Sequence, residues 1–280
     1  MIKTSAIPTN NACAALDINR GAYYAWKSRE PSLNPNVGLI SAIHAIALEF
    51  PGYGYRRIAA ELRRQQKLTN HKRVLRIMRE EHLLCRRKSF KPQTTNSNHG
   101  LPLYPNLARG FVVTKPNQLW VADITYVGIA DGWLYLAAII DIYSRKCIGW
   151  ELSRRIDTAL ALNALDMAVT KRASLGFDEL IHHSDRGVQY AAHAYVERLT
   201  ARGIRISMTQ TGNPRENAFA ESFMKTFKVE EVYLRDYQTF EDAYQNIKTF
   251  IEDVYNAKRL HSSIGYKPPN EMEAEVLNIR

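Results

Sequence analysis

Between Leu119 and Leu152 three runs rich in aromatic and β-branched residues follow one another with only tight connections between them: Leu119–Val127, Trp133–Ile140 and Lys146–Leu152. Runs this close can pair only as antiparallel neighbours, because a parallel return needs a crossover of about a dozen residues. Asp131-Gly132 is a hairpin turn signal, and Tyr143-Ser144-Arg145 turns the chain a second time. The pattern then changes. Thr158–Ala173 reads as a helix capped by Asp157, Leu180–His183 as a short buried strand, Tyr190–Arg202 as a helix ended by Gly203, and Ile204–Met208 as a fifth strand. Glu216–Val232 and Phe240–Tyr255 keep the helical period, the second with Thr239 as its cap. The expected architecture is α/β, a mixed five-stranded sheet with flanking helices.

The residues before the sheet are different in kind. Thr9–Lys27 has the outline of two short helices with a turn at Leu16-Asp17-Ile18-Asn19, where Asn19 would cap the second. A second helix pair starts after Pro51-Gly52-Tyr53-Gly54. Its apolar stripes are Ile58, Ala59 and Leu62, then Val74, Leu75 and Met78, with Thr69 or Asn70 as the cap. Between Tyr53 and Lys91 thirteen lysines and arginines face only Glu61, Glu80 and Glu81, so this stretch accounts for the chain's whole net charge of +10. Helix pairs of this size bearing such charge read as helix-turn-helix units that bind a polyanion; Arg56, Arg57, Lys72, Arg73 and Arg76 are the candidate DNA contacts. Residues 89–112 are polar, hold Pro and Gly and follow no period, as a linker does. No run of 18 apolar residues suggests a membrane span, no secretion signal leads the chain, and Cys13, Cys85 and Cys147 lack any zinc or disulfide spacing. A reducing cytoplasm is the expected setting, on the nucleoid when DNA is bound.

Three acids stand where the strands and helices could bring them together. Asp123 sits mid-strand in Trp120-Val121-Ala122-Asp123-Ile124-Thr125, where an aspartate needs compensation for its burial. Asp185 ends the fourth strand, with Gly187 permitting a sharp turn, and Glu221 lies on the helix after the fifth strand. Convergent carboxylates suit hard divalent cations, and two such ions roughly 3.5–4 Å apart can activate an attacking oxygen and stabilise a leaving one. Asn217, Glu221, Lys225 and Lys228 fall within roughly 80° on a helical wheel, so one helix face would present a ligand flanked by an amide and two ammonium groups that grip DNA phosphates. His182 and His183 alternate along a strand, so at most one faces this site. Asp141 reads as structural.

These residues resemble a known family. Thirty-five residues separate Asp185 from Glu221 and Lys228 follows by seven, which looks like the Asp-Asp-Glu signature of retroviral integrases and of bacterial insertion-sequence transposases encoded in a second reading frame. The flanking strings carry the resemblance further: Trp120-Val121-Ala122-Asp123-Ile124-Thr125-Tyr126, His183-Ser184-Asp185-Arg186-Gly187, Asn217-Ala218-Phe219-Ala220-Glu221-Ser222-Phe223, Tyr255-Asn256 with Arg259 and His261, Gly265-Tyr266-Lys267-Pro268-Pro269, and upstream Tyr53-Gly54-Tyr55-Arg56-Arg57-Ile58. Glu216 stands where the family usually has Asp, and nothing supplies the His/Cys zinc module of retroviral integrases.

The resemblance implies a ribonuclease-H-like fold. It also implies Asp123, Asp185 and Glu221 as catalytic residues and ligands of two Mg²⁺ ions, with Mn²⁺ as a substitute. The implied reaction is strand cleavage at the ends of a mobile element, then attack of the freed 3′-hydroxyl on another phosphodiester, leading to DNA integration and recombination. The partners would be double-stranded DNA (terminal inverted repeats and target), further copies of the chain, and a fused or partnered upstream-frame DNA-binding protein. The expected division is an N-terminal helix-turn-helix-like segment over 1–34, a basic helix-turn-helix DNA-binding domain over 35–90, a linker over 91–112, an integrase-type catalytic core over 113–256 and a C-terminal tail over 257–280. A DNA-binding regulator is disfavoured by the three intact acids. A ribonuclease or resolvase on the same fold is disfavoured by the basic module and the Lys225/Lys228 pair.

Overall fold

A computed structural model describes residues 8–28, 36–84, 100–210 and 214–277; of the basic stretch, Arg86, Arg87, Lys88 and Lys91 lie outside them. The chain divides into two compact units, Met1–Ala45 and Ile46–Arg280. The first contains α1 (Thr9–Ala15) and α2 (Arg20–Lys27) and most of α3 (Val37–Glu49). Asn19 caps α2 as expected, its side chain accepting from the Gly21 and Ala22 N–H groups at 2.8 and 3.2 Å.

The second unit opens with α4 (Tyr55–Arg64) and α5 (His71–Glu80), the latter capped by Asn70, which accepts from Lys72 N–H. Ile58, Ala59 and Leu62 of α4 are buried, as are Val74, Ile77 and Met78 of α5. Ile77 thus takes the place expected of Leu75, because positions 74, 77 and 78 share one helical face. A two-residue hairpin joins β1 (Leu119–Ile129) to β2 (Gly132–Asp141). Ile129 pairs with Gly132, so the turn is Ala130-Asp131, one residue earlier than its sequence signal. Gly132 has φ +146°, which a side chain would resist.

β3 (Cys147–Ser153) completes the meander, and α6 (Thr158–Arg172) follows with Asp157 capping the Leu160 N–H. Gly149 of β3 lets α6 pack close: a Cβ there would stand 2.1 Å from the Ala164 carbonyl oxygen. β4 (Ile181–Ser184), α7 (Val188–Ala191), α8 (His193–Thr200) and β5 (Arg205–Met208) come next. The single helix expected over 190–202 is broken by the extended backbone of Ala192 (ψ 140°). The last helices are α9 (Ala218–Glu230), α10 (Phe240–Thr249) and α11 (Pro269–Leu277). The helical period read through Tyr255 instead passes after Phe250 into a π-helical turn, Phe250–Asn256. At its end the Asn256 amide satisfies both backbone groups of Cys147 at 2.9 Å, which anchors the edge strand.

The sheet order is β3-β2-β1-β4-β5, with β1–β2 and β2–β3 antiparallel and β1–β4 and β4–β5 parallel. This is the mixed ribonuclease-H-like sheet, covered on both faces. Trp120, Ala122, Ala137 and Ile139 pack with α6 and α8, while Leu119, Val121, Leu136 and Ile140 pack with α9, α10 and the π turn. Strand alternation therefore decides the side on which each functional residue emerges. Residues 119, 121 and 123 share the α9 face of β1, as 181, 183 and 185 do along β4.

The described residues after 256 pack into this unit. Glu273 of α11 is 4% exposed and accepts from Ser144 Oγ at 2.7 Å and Lys146 Nζ at 3.0 Å, and it pairs with Arg172 of α6. Arg172 also lies 3.6 Å from Asp141, whose carboxylate takes the Asn117 and Tyr143 N–H groups. Burial pushes Asp141 up to about 6 against the pull of Arg172. Glu273, although burial opposes it, is held below the usual range by its hydrogen bond and attraction to Arg172. Glu273→Ala should lower unfolding stability by about 2–3 kcal/mol in urea titration, because it leaves the buried Arg172 guanidinium only the more distant Asp141 carboxylate; a loss below about 1 kcal/mol would show that the network does not hold α11.

Candidate active site

β1 carries Asp123 on its α9 face, half-buried among apolar neighbours. Burial first, then the negative charges of Asp185 and Glu221, push its carboxyl up to about 7; the Ile124 N–H, 2.8 Å from its Oδ1, and the Lys228 ammonium pull the other way. Asp185 follows β4 directly, and its Oδ1 accepts from Gly187 N–H at 2.9 Å. Gly187 has φ −61°, so the position does not demand glycine for its dihedral. Space is the tighter limit: a Cβ would stand 3.0 Å from the Asp185 Oδ1, so that carboxylate would have to give way. Glu221 occupies the first turn of α9 at the rim, its carboxyl raised by partial desolvation. Three carboxylates from three elements thus meet on one face within electrostatic reach.

Lys228, two turns along α9, lies half-buried with its Nζ 3.9 Å from the centre of the Tyr126 ring, close enough to feel Asp123. Lys225 is exposed on the same helix. Asn217 differs from its place on the helical wheel. Residues 214–217 form a 3₁₀ turn rather than α-helix, and Asn217 is turned inward, 6% exposed, donating from Nδ2 to the Ala122 carbonyl at 3.0 Å. Its amide is committed to the strand that carries Asp123.

His183 makes the matching tie. The Leu107 N–H donates to Ser207 Oγ at 2.8 Å, Ser207 Oγ lies 2.8 Å from His183 Nδ1, and His183 Nε2 lies 3.0 Å from the Glu216 carbonyl. A carbonyl only accepts, so Nε2 carries the proton and Nδ1 receives the Ser207 hydroxyl. Burial, which lowers the His183 pKa, favours this neutral form of the ring. His182 points to the other face, bonded to the Tyr195 hydroxyl at 3.0 Å and pushed down to about 3 by burial. Sequence reasoning flagged the histidines but missed Ser207 and the Glu216 carbonyl, because a serine in a short strand and a backbone acceptor leave no pattern.

The basic helices lie in the same unit. Lys72, Arg73 and Arg76 are exposed on α5, Arg76 with Glu80 at 3.7 Å, and Arg56 is exposed over the Tyr55 ring. Arg57 is partly buried and donates from Nε to the Leu260 carbonyl at 3.1 Å. The Leu260 N–H donates to the buried Tyr53 hydroxyl at 2.7 Å, and Arg64 forms a two-point pair with Glu271.

Among the described residues no three His, Cys, Asp or Glu side chains are already grouped tightly enough to hold a metal ion. The donor set is nevertheless all carboxylate oxygen and mutually repelling, the chemistry that a hard divalent cation offsets.

Residues 113–214 match the family described as integrase core domain, 202–269 match a second family of the same description, and 36–90 match the HTH-like domain. The uncharacterized 31 kDa protein of insertion element IS600 from Shigella sonnei is 38% identical, covering 92% of this chain and 95% of its own length. The transposase for insertion sequence element IS904 from Lactococcus lactis is 37% identical, covering 84% of this chain and 93% of its own. Among solved structures, the catalytic core domain of BIV integrase is 19% identical, covering 58% of this chain and 97% of its own at a TM-score of 0.42.

Because its carboxyl is raised in the fold, Asp123 leaves the native state holding more protons than the unfolded chain between pH ~4 and ~7, so its contribution to stability falls as pH rises through that window. Asp123→Asn should therefore stabilise the cation-free protein at pH 8 by about 1–3 kcal/mol, allowing for partial exposure. Mg²⁺ or Mn²⁺ should raise the wild-type melting temperature more at pH 8 than at pH 6, and this difference should vanish in Asp123→Asn. Equal shifts at both pH values would sink the assignment.

Proposed function

The chain belongs to the insertion-sequence transposases that carry an integrase core, and from that premise we propose that Asp123, Asp185 and Glu221 form the centre at which it cuts and joins DNA strands. The observation that supports this most is the meeting of the three carboxylates on the α9 face, where each raises the cost of ionising Asp123 and Lys228 stands beside them. Such a set would hold divalent cations, Mg²⁺ with Mn²⁺ as substitute, in a pair. Bound there, the cations lower the pKa of an attacking water or hydroxyl and stabilise the leaving oxygen of an in-line displacement.

The chain's own residues supply position and charge. In the first step water would replace the 3′-oxygen at phosphorus, leaving a free 3′-hydroxyl and a 5′-phosphate. In the second that hydroxyl would attack a target phosphodiester, forming one bond as another breaks, with no protein-bound intermediate. Lys228, steadied on Tyr126, would hold a phosphate at the centre, and Lys225 would grip the strand further out. Asn217 and His183 would keep the three acidic elements in register. The exposed face of α5 (Lys72, Arg73, Arg76), with Arg56 of α4, would bind the duplex at the inverted repeats. Arg57, committed to the Leu260 carbonyl, would brace α4. Element ends come in pairs, so further copies of the chain would assemble on DNA, with an upstream-frame DNA-binding protein as a fused or separate partner.

With labelled element-end DNA and Mg²⁺ or Mn²⁺, Glu221→Gln should reduce cleavage and strand transfer at least about 100-fold while duplex binding persists; full cleavage by this variant would overturn the mechanism. Duplex binding should fall linearly with the logarithm of salt concentration, and the double change Lys72→Ala with Arg76→Ala should flatten that slope by about 2. An unchanged slope would remove α5 from the DNA interface.

A further inference from the structure

Next to the carboxylates, on the same sheet face, is a cavity of about 750 Å³. Val121 and His183 line it, each two residues before a site aspartate, and Phe219, two residues before Glu221, lines it as well. In a strand, residues two apart share a face about 6.6 Å apart, so the cavity adjoins the site at a single step of β1 and of β4. The walls add the guanidinium groups of Arg109 and Arg145 and the rings of Phe111 and Phe219, whose residues are 37% and 44% exposed.

Arg145 is the informative member. It sits in the β2–β3 turn at φ +66°, with its guanidinium 4.1 Å from the centre of the Phe219 ring. Its Nε is buried with no hydrogen-bond partner among the described residues. A buried donor without an acceptor is costly, and an anionic oxygen is its strongest acceptor. Glu216, the acid in the lining, already accepts from Gln210 N–H at 2.6 Å.

We propose that this cavity receives one unpaired nucleotide of the DNA strand beside the reacting phosphodiester, its base stacked on the Phe219–Arg145 pair or on Phe111 and its phosphate held by Arg109 and Arg145. The inference rests on the strand-cleavage reading of the adjoining site. The volume is that of a small-ligand pocket and too small for a duplex. Aromatic and guanidinium planes stack bases of any identity, while the arginines supply the phosphate contact. Drawing the nucleotide in would pull the neighbouring phosphodiester along the sheet face toward Asp123 and Asp185.

The full-length chain, in EDTA, is titrated with a short fluorescent oligothymidylate. Phe219→Ala and Arg109→Gln, both at exposed side chains, should each weaken binding about tenfold, while Lys171→Ala, at an exposed position of α6 on the opposite sheet face, leaves it unchanged. A 5-iodouracil placed at an unpaired duplex end should photo-crosslink to Phe219 or Phe111. Unchanged affinity in both cavity variants, or crosslinks confined to other residues, overturns the proposal. Absence of oligothymidylate binding by the wild type does so too. No divalent cation is present, so these outcomes are independent of strand cleavage: a chain that cleaves duplex ends but fails here keeps its proposed function and loses the nucleotide pocket.

Discussion

Three like charges held on one face of a sheet repel one another, and the rest of the core is arranged to prevent them from moving apart. Two hydrogen-bond ties, one buried and one partly buried, resist that repulsion. Asn217 joins the start of α9 to the Ala122 carbonyl, one residue from Asp123. His183, two residues before Asp185, reaches the Glu216 carbonyl, one residue before Asn217. Each tie links an element bearing one acid to an element bearing another, so β1, β4 and α9 are fixed in pairs. Hydrogen bonds among buried groups contribute only about 1 kcal/mol each to net stability, but leaving either partner unmade costs more. Their value here is positional: a shift of α9 would break both ties at once.

The same logic holds the molecule together at the other end of β2. Asp141 closes that strand, and its charge is met by Arg172 of α6, which is met in turn by Glu273 of α11. A ladder of alternating charges thus runs from the sheet through a covering helix to the last helix. The Asn256 amide on Cys147 does the equivalent task at the edge strand without charge. The sheet is therefore braced on both faces and at one edge, leaving the α9 face between β1 and β4 as the place where polar groups converge.

Much of this could be read from residue order. The strand runs and their tight connections gave the meander, and alternation along β1 and β4 put residues 123 and 185 on one face. The departures have local causes. The helical wheel that grouped Asn217 with Glu221 assumed an α-helix through residue 217, whereas the 3₁₀ turn over Pro214–Asn217 rotates it into the core. Gly187 reads as a turn glycine, but its φ of −61° is open to any residue and what crowds it is the Asp185 carboxylate. The tie between Arg57 and Leu260, and that between Arg172 and Glu273, join residues more than a hundred positions apart. Neither leaves a periodic trace, which is why 257–280 read as a tail. The Phe111–Phe219 cavity was invisible for the same reason, its walls coming from five separate stretches of chain.

The two neighbouring histidines separate scaffold from chemistry. His182 and His183 are both buried, and burial lowers the pKa of each, His182 beside Tyr195 and His183 against the opposing pull of its bond to the Glu216 carbonyl. Protonating His183 would put a proton on Nδ1, facing the Ser207 hydroxyl that now donates to it, and would force that hydroxyl to turn away. Burial disfavours this and so favours the intact tie to α9. Asp123, by contrast, is pushed up to about 7, first by burial and then by the negative charges of Asp185 and Glu221. A pH response of the centre near neutrality therefore points to its carboxylates rather than to the two histidines, whose pKa values burial lowers.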